Sequence, residues 1–144
     1  MRILYSVVGM GILTIVLYLA FFPRWATTYC EERLRSLETN DVKRIDIIRY
    51  ENFWHEASRK TLTTQEDITG FINELKVASR PVIRNHTIDY RTRYVTIITS
   101  TRLLKFVVRD THADGILISF YSNGYNGLYL TTLRADGLRR YVWD

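Results

Sequence analysis

The chain has 144 residues, 47% of them hydrophobic, and a formal net charge of +5. Residues 3–22 are uncharged throughout. The remaining C-terminal part suffices for one hydrophobic core but not two. Basic residues stand singly or in pairs, as in Lys43-Arg44 and Arg139-Arg140, with acids between them. That spacing describes a solvated surface, with attraction to anionic lipid headgroups as the functional alternative and no nucleic-acid partner expected.

The uncharged segment opens at Ile3 and closes at Phe22, between Arg2 and Pro23-Arg24. A helix of that length, rising about 1.5 Å per residue, would cross the roughly 30 Å hydrocarbon layer of a bilayer. A cleaved signal peptide has a shorter apolar stretch and small residues at the cut. Here the end of the stretch is Leu19-Ala20-Phe21-Phe22. Residues 1–24 are therefore expected to stay as a membrane anchor, with the bilayer itself as one partner. Arg2, Arg24, Trp25 and Tyr29 are placed at the membrane interface, where basic and aromatic residues collect. Gly9 and Gly11 fall on different helix faces and make no helix-dimer motif.

Two rules conflict over orientation. Arg24, Arg33 and Arg35 lie C-terminal to the segment, and a count of basic residues would hold the C-terminal side in the cytoplasm. An N-terminal apolar segment with a minimal basic tail acts instead as an export signal. The second rule is favoured, which makes this a single-pass protein of the inner membrane with its C-terminal part periplasmic or otherwise extracytoplasmic.

Residues 25–41 read as a helical stem, because Cys30, Leu34 and Leu37 share one face at spacings of four and three. Thr39-Asn40-Asp41 ends it. Residues 42–144 form the exported domain. Residues 42–50 alternate as a strand, with Ile45 and Ile47 on one face and Ile48 and Tyr50 on the other. Residues 52–58 show no period and read as a loop.

The next element is a helix over residues 64–78. Thr63 or Thr64 can cap it, Thr63 with Glu66 makes a capping-box pattern, and Asp67 suits the positive end of the helix dipole. Ile68, Phe71, Ile72 and Leu75 make its apolar stripe, and Pro81 sets its limit. After Pro81 the period becomes two. Strands are predicted over 82–91, 94–99, 104–109, 116–120, 128–133 and 138–143, with turns at Ser100-Thr101, Asp114-Gly115, Asn123-Gly124, Asn126-Gly127 and Asp136-Gly137. The fold class is α+β: an N-terminal transmembrane helix, then one amphipathic helix packed on an antiparallel β-meander.

No catalytic constellation declares itself. His55, His86 and His112 share no spacing with a serine elbow, a zinc helix or a phosphate-cradling glycine loop. No enzyme activity, no catalytic residue, no cofactor and no metal is expected. Residues 110–115 (DTHADG) begin like a calcium-binding loop, but Tyr121 stands where a bidentate glutamate should, so the segment reads as a hairpin link. Asn85-His86-Thr87 is a glycosylation sequon inside a predicted strand. Cys30, the only cysteine, excludes an intrachain disulfide and reads as a small apolar residue, with a disulfide between two copies as the sharper alternative.

The most suggestive patch is residues 121–129 (YSNGYNGLY). Tyrosine supplies contact area at little entropic cost, and small polar residues adapt their hydrogen bonds. Tyr121, Asn123, Tyr125, Asn126 and Tyr129 are the candidate partner-binding residues, with Tyr125 expected to be exposed at the tip of the turn. The plain alternative is a hairpin whose tyrosines pair across strands. The function expected is binding of another protein by the exported domain, as a subunit of an envelope complex or as an immunity or exclusion factor. Alternatives are an envelope enzyme with an unrecognised site and a cytoplasm-facing adaptor.

Overall fold

The computed structural model describes residues 2–52, 55–80, 90–111 and 114–143. The predicted strand over 82–91, the sequon at Asn85 and the loop residue His112 lie wholly or largely outside the described residues.

Helix α1 runs without interruption from Arg2 to Arg35 and contains Pro23. Proline has no N–H to give the carbonyl of Leu19, and this position divides two kinds of helix. Before it, Val7, Met10, Ile12, Leu13, Ile15, Leu19 and Phe21 are all exposed. From Val7 onward the helix is long and apolar enough to cross a membrane. After it, Ala26, Cys30 and Leu34 are buried, one face of an amphipathic helix. The segment read as a stem thus packs into the core of the domain. Thr27 and Thr131 share a hydrogen bond of 2.8 Å that joins α1 to the sheet.

Six strands form one antiparallel sheet: β1 (Val42–Asn52), β2 (His55–Leu62), β3 (Tyr90–Thr99), β4 (Leu103–Thr111), β5 (Gly115–Asn123) and β6 (Asn126–Arg134), in the order β2-β1-β3-β4-β5-β6. β3 to β6 make the expected meander. β1 does not precede it as a simple hairpin partner. It lies between β2 and β3, and helix α2 (Gln65–Lys76) carries the chain from the β2 edge back to β3. The reason lies in β1 itself. Ile45, Asp46, Ile47 and Ile48 are all buried, which a strand achieves only with neighbours on both sides.

Residues 52–58, expected as a loop, belong largely to β2. Every residue of β2 except Leu62 is exposed, so this edge strand has no apolar alternation to reveal it. Its charges, from Glu56 to Lys60, suit an edge kept from pairing with other chains. Residues 138–143, expected as a strand, are a single 3-10 turn followed by the short helix α3 (Arg139–Val142). Leu138 and Val142 are buried while Arg140 between them is exposed; a strand would put all three on one face.

Helix α2 keeps its predicted apolar stripe, but its cap pairs Thr64 with Asp67 instead of Thr63 with Glu66. Thr64 is its cap, accepting from the Asp67 amide at 3.3 Å. Ile68, Phe71, Ile72 and Leu75 are its buried residues. They join Cys30, Leu34 and Leu37 of the N-terminal region, Leu138 and Val142 near the C-terminus, and one face of all the central strands in a single core. Register fixes that face: Ile45 opposes Ile97, Ile47 opposes Val95, and Val95 opposes Phe106. All described helices lie on this side.

Candidate functional site

The opposite face of the sheet has no helix over it among the described residues. It is built from the alternate positions: Asp46, Ile48 and Tyr50 of β1, Tyr94 and Thr96 of β3, Lys105, Val107 and Arg109 of β4, Ser119 and Tyr121 of β5. Small and aliphatic members are buried beneath the long ones: Ile48, Val107 and Ser119 are each at most 6% exposed. Tyrosines and arginines form the outer layer.

Tyr125 does not stand free at the tip of its turn; it is half-buried on this face. The turn is the two-residue loop Gly124-Tyr125 between the paired Asn123 and Asn126. Gly124 has φ +79°, a conformation glycine adopts without strain at the first position of such a loop. A Cβ there would also lie 2.8 Å from Cδ of Lys105. Two register shifts between β5 and β6 flank Tyr121. Bulges of this kind bend a hairpin, and this one folds over β4. The Tyr125 hydroxyl bonds that of Thr96. Its ring meets Tyr94 edge-on at 5.1 Å, and Tyr94 meets Tyr50 edge-on at 5.0 Å. Lys105 Nζ lies 5.4 Å from the Tyr125 ring centre. Burial pushes the Tyr125 phenol above its ordinary pKa, against the hydrogen bond to Thr96, which lowers it.

The other candidate residues divide. Tyr121 accepts a hydrogen bond from Arg109 Nη2 at 2.8 Å and meets Tyr129 edge-on at 5.9 Å. Tyr129 is 51% exposed, and its hydroxyl donates to Thr132 at 2.8 Å. Asn123 is exposed at the end of β5, and Asn126 begins β6. The sheet therefore brings Tyr121, Tyr125 and Tyr129 to one side, and adds Tyr50 and Tyr94, which sequence reading did not single out. Their signal was their place in the alternation, Ile48-x-Tyr50 and Tyr94-x-Thr96.

A charged cluster borders the tyrosines. Asp46, 4% exposed, accepts from Thr61 at 3.0 Å and sits 3.4 Å from both Arg44 and Arg59. Arg59 also pairs with Glu56 at 2.7 Å, and that hydrogen bond holds the Glu56 carboxyl below the usual carboxylate range. These ties match two arginines to two carboxylates, so the cluster carries no net charge.

At the far end, the Asp114-Gly115 link behaves as a hairpin turn. Gly115 has φ +81°, and Thr111 Oγ1 accepts from the Asp114 amide and donates to the Gly115 carbonyl. Arg139 clamps Asp110 through two bonds of 2.7 and 2.8 Å, so that carboxylate is already matched. His55 lies exposed on β2. Among the described residues no three His, Cys, Asp or Glu side chains converge. On α1, Arg24, Trp25 and Tyr29 are exposed just beyond the apolar segment. No family model, curated protein or solved structure matches this chain.

Proposed function

We propose that this is a single-span membrane protein whose C-terminal domain, held outside the cytoplasm, binds another protein through the open, tyrosine-bearing face of its sheet. The observation that carries the reading is the contrast between that face and its covered opposite. Aromatic and arginine side chains dominate the outer layer of the open face, the composition that anchors interfaces. The exposed apolar surface of α1 supports the anchor: a row of side chains from Val7 to Phe21 has no place in water. An inner-membrane location, with the domain in an envelope compartment as a complex subunit or an immunity factor, is part of the same proposal.

The test uses the full-length protein in its native membrane. A photo-crosslinking side chain at Tyr94 or Tyr129 should capture one discrete partner, and the same group at Glu66 on α2 should not. Capture from Glu66 alone would move the interface to the helix side and sink the reading. A C-terminal reporter active only in the cytoplasm would sink the export.

A further inference from the structure

Where α1 leaves its apolar segment and meets the sheet, a groove of about 400 Å³ opens. One wall is α1, with Trp25, Tyr29 and Arg33. The other is formed by the ends of β4 and β5 beyond their last paired residues, Val107 and Ser119, where Leu104 from the covered face and Lys105 from the open face line the same groove. The floor is apolar: Cys30, Leu104 and Phe120 are each at most 5% exposed. The lining holds two cations, Arg33 and Lys105, and no carboxylate. Arg33 is preset, its Nη1 donating to the Tyr29 hydroxyl at 3.0 Å. Lys105 rests over Tyr125, a contact that its flexible stem can exchange for an anion. No ion pair ties either cation to a carboxylate among the described residues.

A second feature leads into the groove from the apolar segment. Tyr18, Phe22, Trp25 and Tyr29 follow one another along one side of α1, with ring centres 4.8, 5.9 and 5.5 Å apart, the outer two pairs stacked and the middle pair tilted. The row ends on Arg33. At about 1.5 Å per residue, Trp25 stands about 5 Å beyond Phe22, within the headgroup layer, while the backbones of Tyr29 and Arg33 stand about 10 and 16 Å beyond it, above that layer. Helical side chains lean toward the N-terminus, so Arg33 carries its charge back toward that layer.

The geometry points to a binding site for the headgroup of an anionic phospholipid. Its phosphate sits on Arg33 with Lys105 as the second cation. Its glycerol end lies over Phe120, and its tails stay in the bilayer along the aromatic row. The groove's volume is at the low end of small-molecule sites, roughly 300–1,000 Å³, room for a headgroup but not for two acyl chains. The site rests on the reading that α1 spans a membrane. An acidic peptide would satisfy the cations, but it would leave the aromatic row without a purpose.

The experiment reconstitutes the full-length protein in vesicles of equimolar phosphatidylcholine and phosphatidylglycerol. Flotation is scored first, then the lipid retained on the released protein is read by native mass spectrometry. Wild type should keep phosphatidylglycerol in preference. Arg33→Gln and Lys105→Gln should each lower that preference about fivefold, the factor expected of one basic residue at an anionic surface. Ser122→Glu, which puts a carboxylate into the same lining, should lower it as well, while Arg24→Gln should not. Equal retention of the two lipids by wild type, or a preference that survives the Arg33→Gln, Lys105→Gln pair, would overturn the site. Loss of the preference to millimolar glycerol 3-phosphate would overturn the lipid assignment in favour of a free phosphate. Failure to float would instead sink the spanning reading of α1, and the site with it.

Discussion

On the helix-covered side of the sheet, Ile45, Ile47, Val95, Ile97, Phe106, Val108, Ile116 and Ile118 are all at most 2% exposed. On the open side, Tyr50, Tyr94, Thr96, Lys105, Arg109 and Tyr121 are only half-buried. The first side is held by removing aliphatic surface from water, a large and non-directional effect. The second buries Ile48 and Val107, but its outer layer is held by ring edges, hydroxyl bonds and cations over rings, each worth about 1 kcal/mol or less. The covered side therefore carries most of the domain's stability. The outer layer of the open side can give up a contact without unfolding, which is what a binding surface requires.

The largest expected effect tests the covered side. Phe71 is fully buried, edge-on to Tyr141 at 5.7 Å. Phe71→Ala should destabilise the domain by about 3–5 kcal/mol in urea unfolding. An unchanged midpoint would show that α2 does not hold the core.

Cys30 tests whether the packed half of α1 belongs to that side. Burial pushes its thiol from 9.0 up to about 11, with Arg33 opposing. A thiol whose pKa is raised by folding stabilises the protein fully below the unfolded value. That contribution fades as pH climbs from about 9 toward 11. Between pH 8 and 11 wild type should therefore lose more stability than Cys30→Ala. Equal losses would mean that α1 lifts off the sheet in solution. The same burial, 3% exposure, places the thiol out of reach of a disulfide with a second copy.

Periodicity carries the part of the fold that was legible in the sequence. The stripe of α2, the shared face of Cys30, Leu34 and Leu37, and the alternation along β4 and β5 all report burial on one side, and all join the core. Two elements escaped for opposite reasons. β2 is exposed along nearly its whole length, so it buries no pattern to read. The C-terminal turn and α3 bury Leu138 and Val142 alone, too few positions to separate a period of four from a period of two. The open face was legible only in part, because Tyr50, Tyr94 and Tyr125 come from separate places in the chain. They meet only once β1 lies beside β3 and the last hairpin bends, and strand order is not written in local pattern.

Within the open face, Tyr125 tests how much of the tyrosine cluster is structural. The ring packs on Tyr94, and its hydroxyl bonds Thr96. Tyr125→Ala should cost about 1–2 kcal/mol of stability, the range of an aromatic pair plus a hydrogen bond. Tyr125→Phe should recover most of it by keeping the ring. A thermal midpoint unaffected by Tyr125→Ala would return Tyr125 to the exposed tip that the sequence suggested.

Tyr129 should give the smallest effect on folding and is the sharper probe of function. It is 51% exposed, and its contacts, the Tyr121 ring and the Thr132 hydroxyl, lie on the same hairpin. Truncation removes no buried aliphatic contact and leaves no buried polar group without water, so Tyr129→Ala should shift stability by at most about 0.5 kcal/mol. The same exposure leaves a large, restrained ring available to a partner. If the open face is the interface, burying that ring is worth about 1–2 kcal/mol or more, and partner capture should weaken roughly tenfold while the melting curve stays in place. Tyr125→Ala cannot separate those quantities, because its loss of binding would travel with a loss of folding. A Tyr129→Ala protein that melts like wild type and captures its partner at wild-type strength would move the interface away from this hairpin, toward the Tyr50 end of the same face.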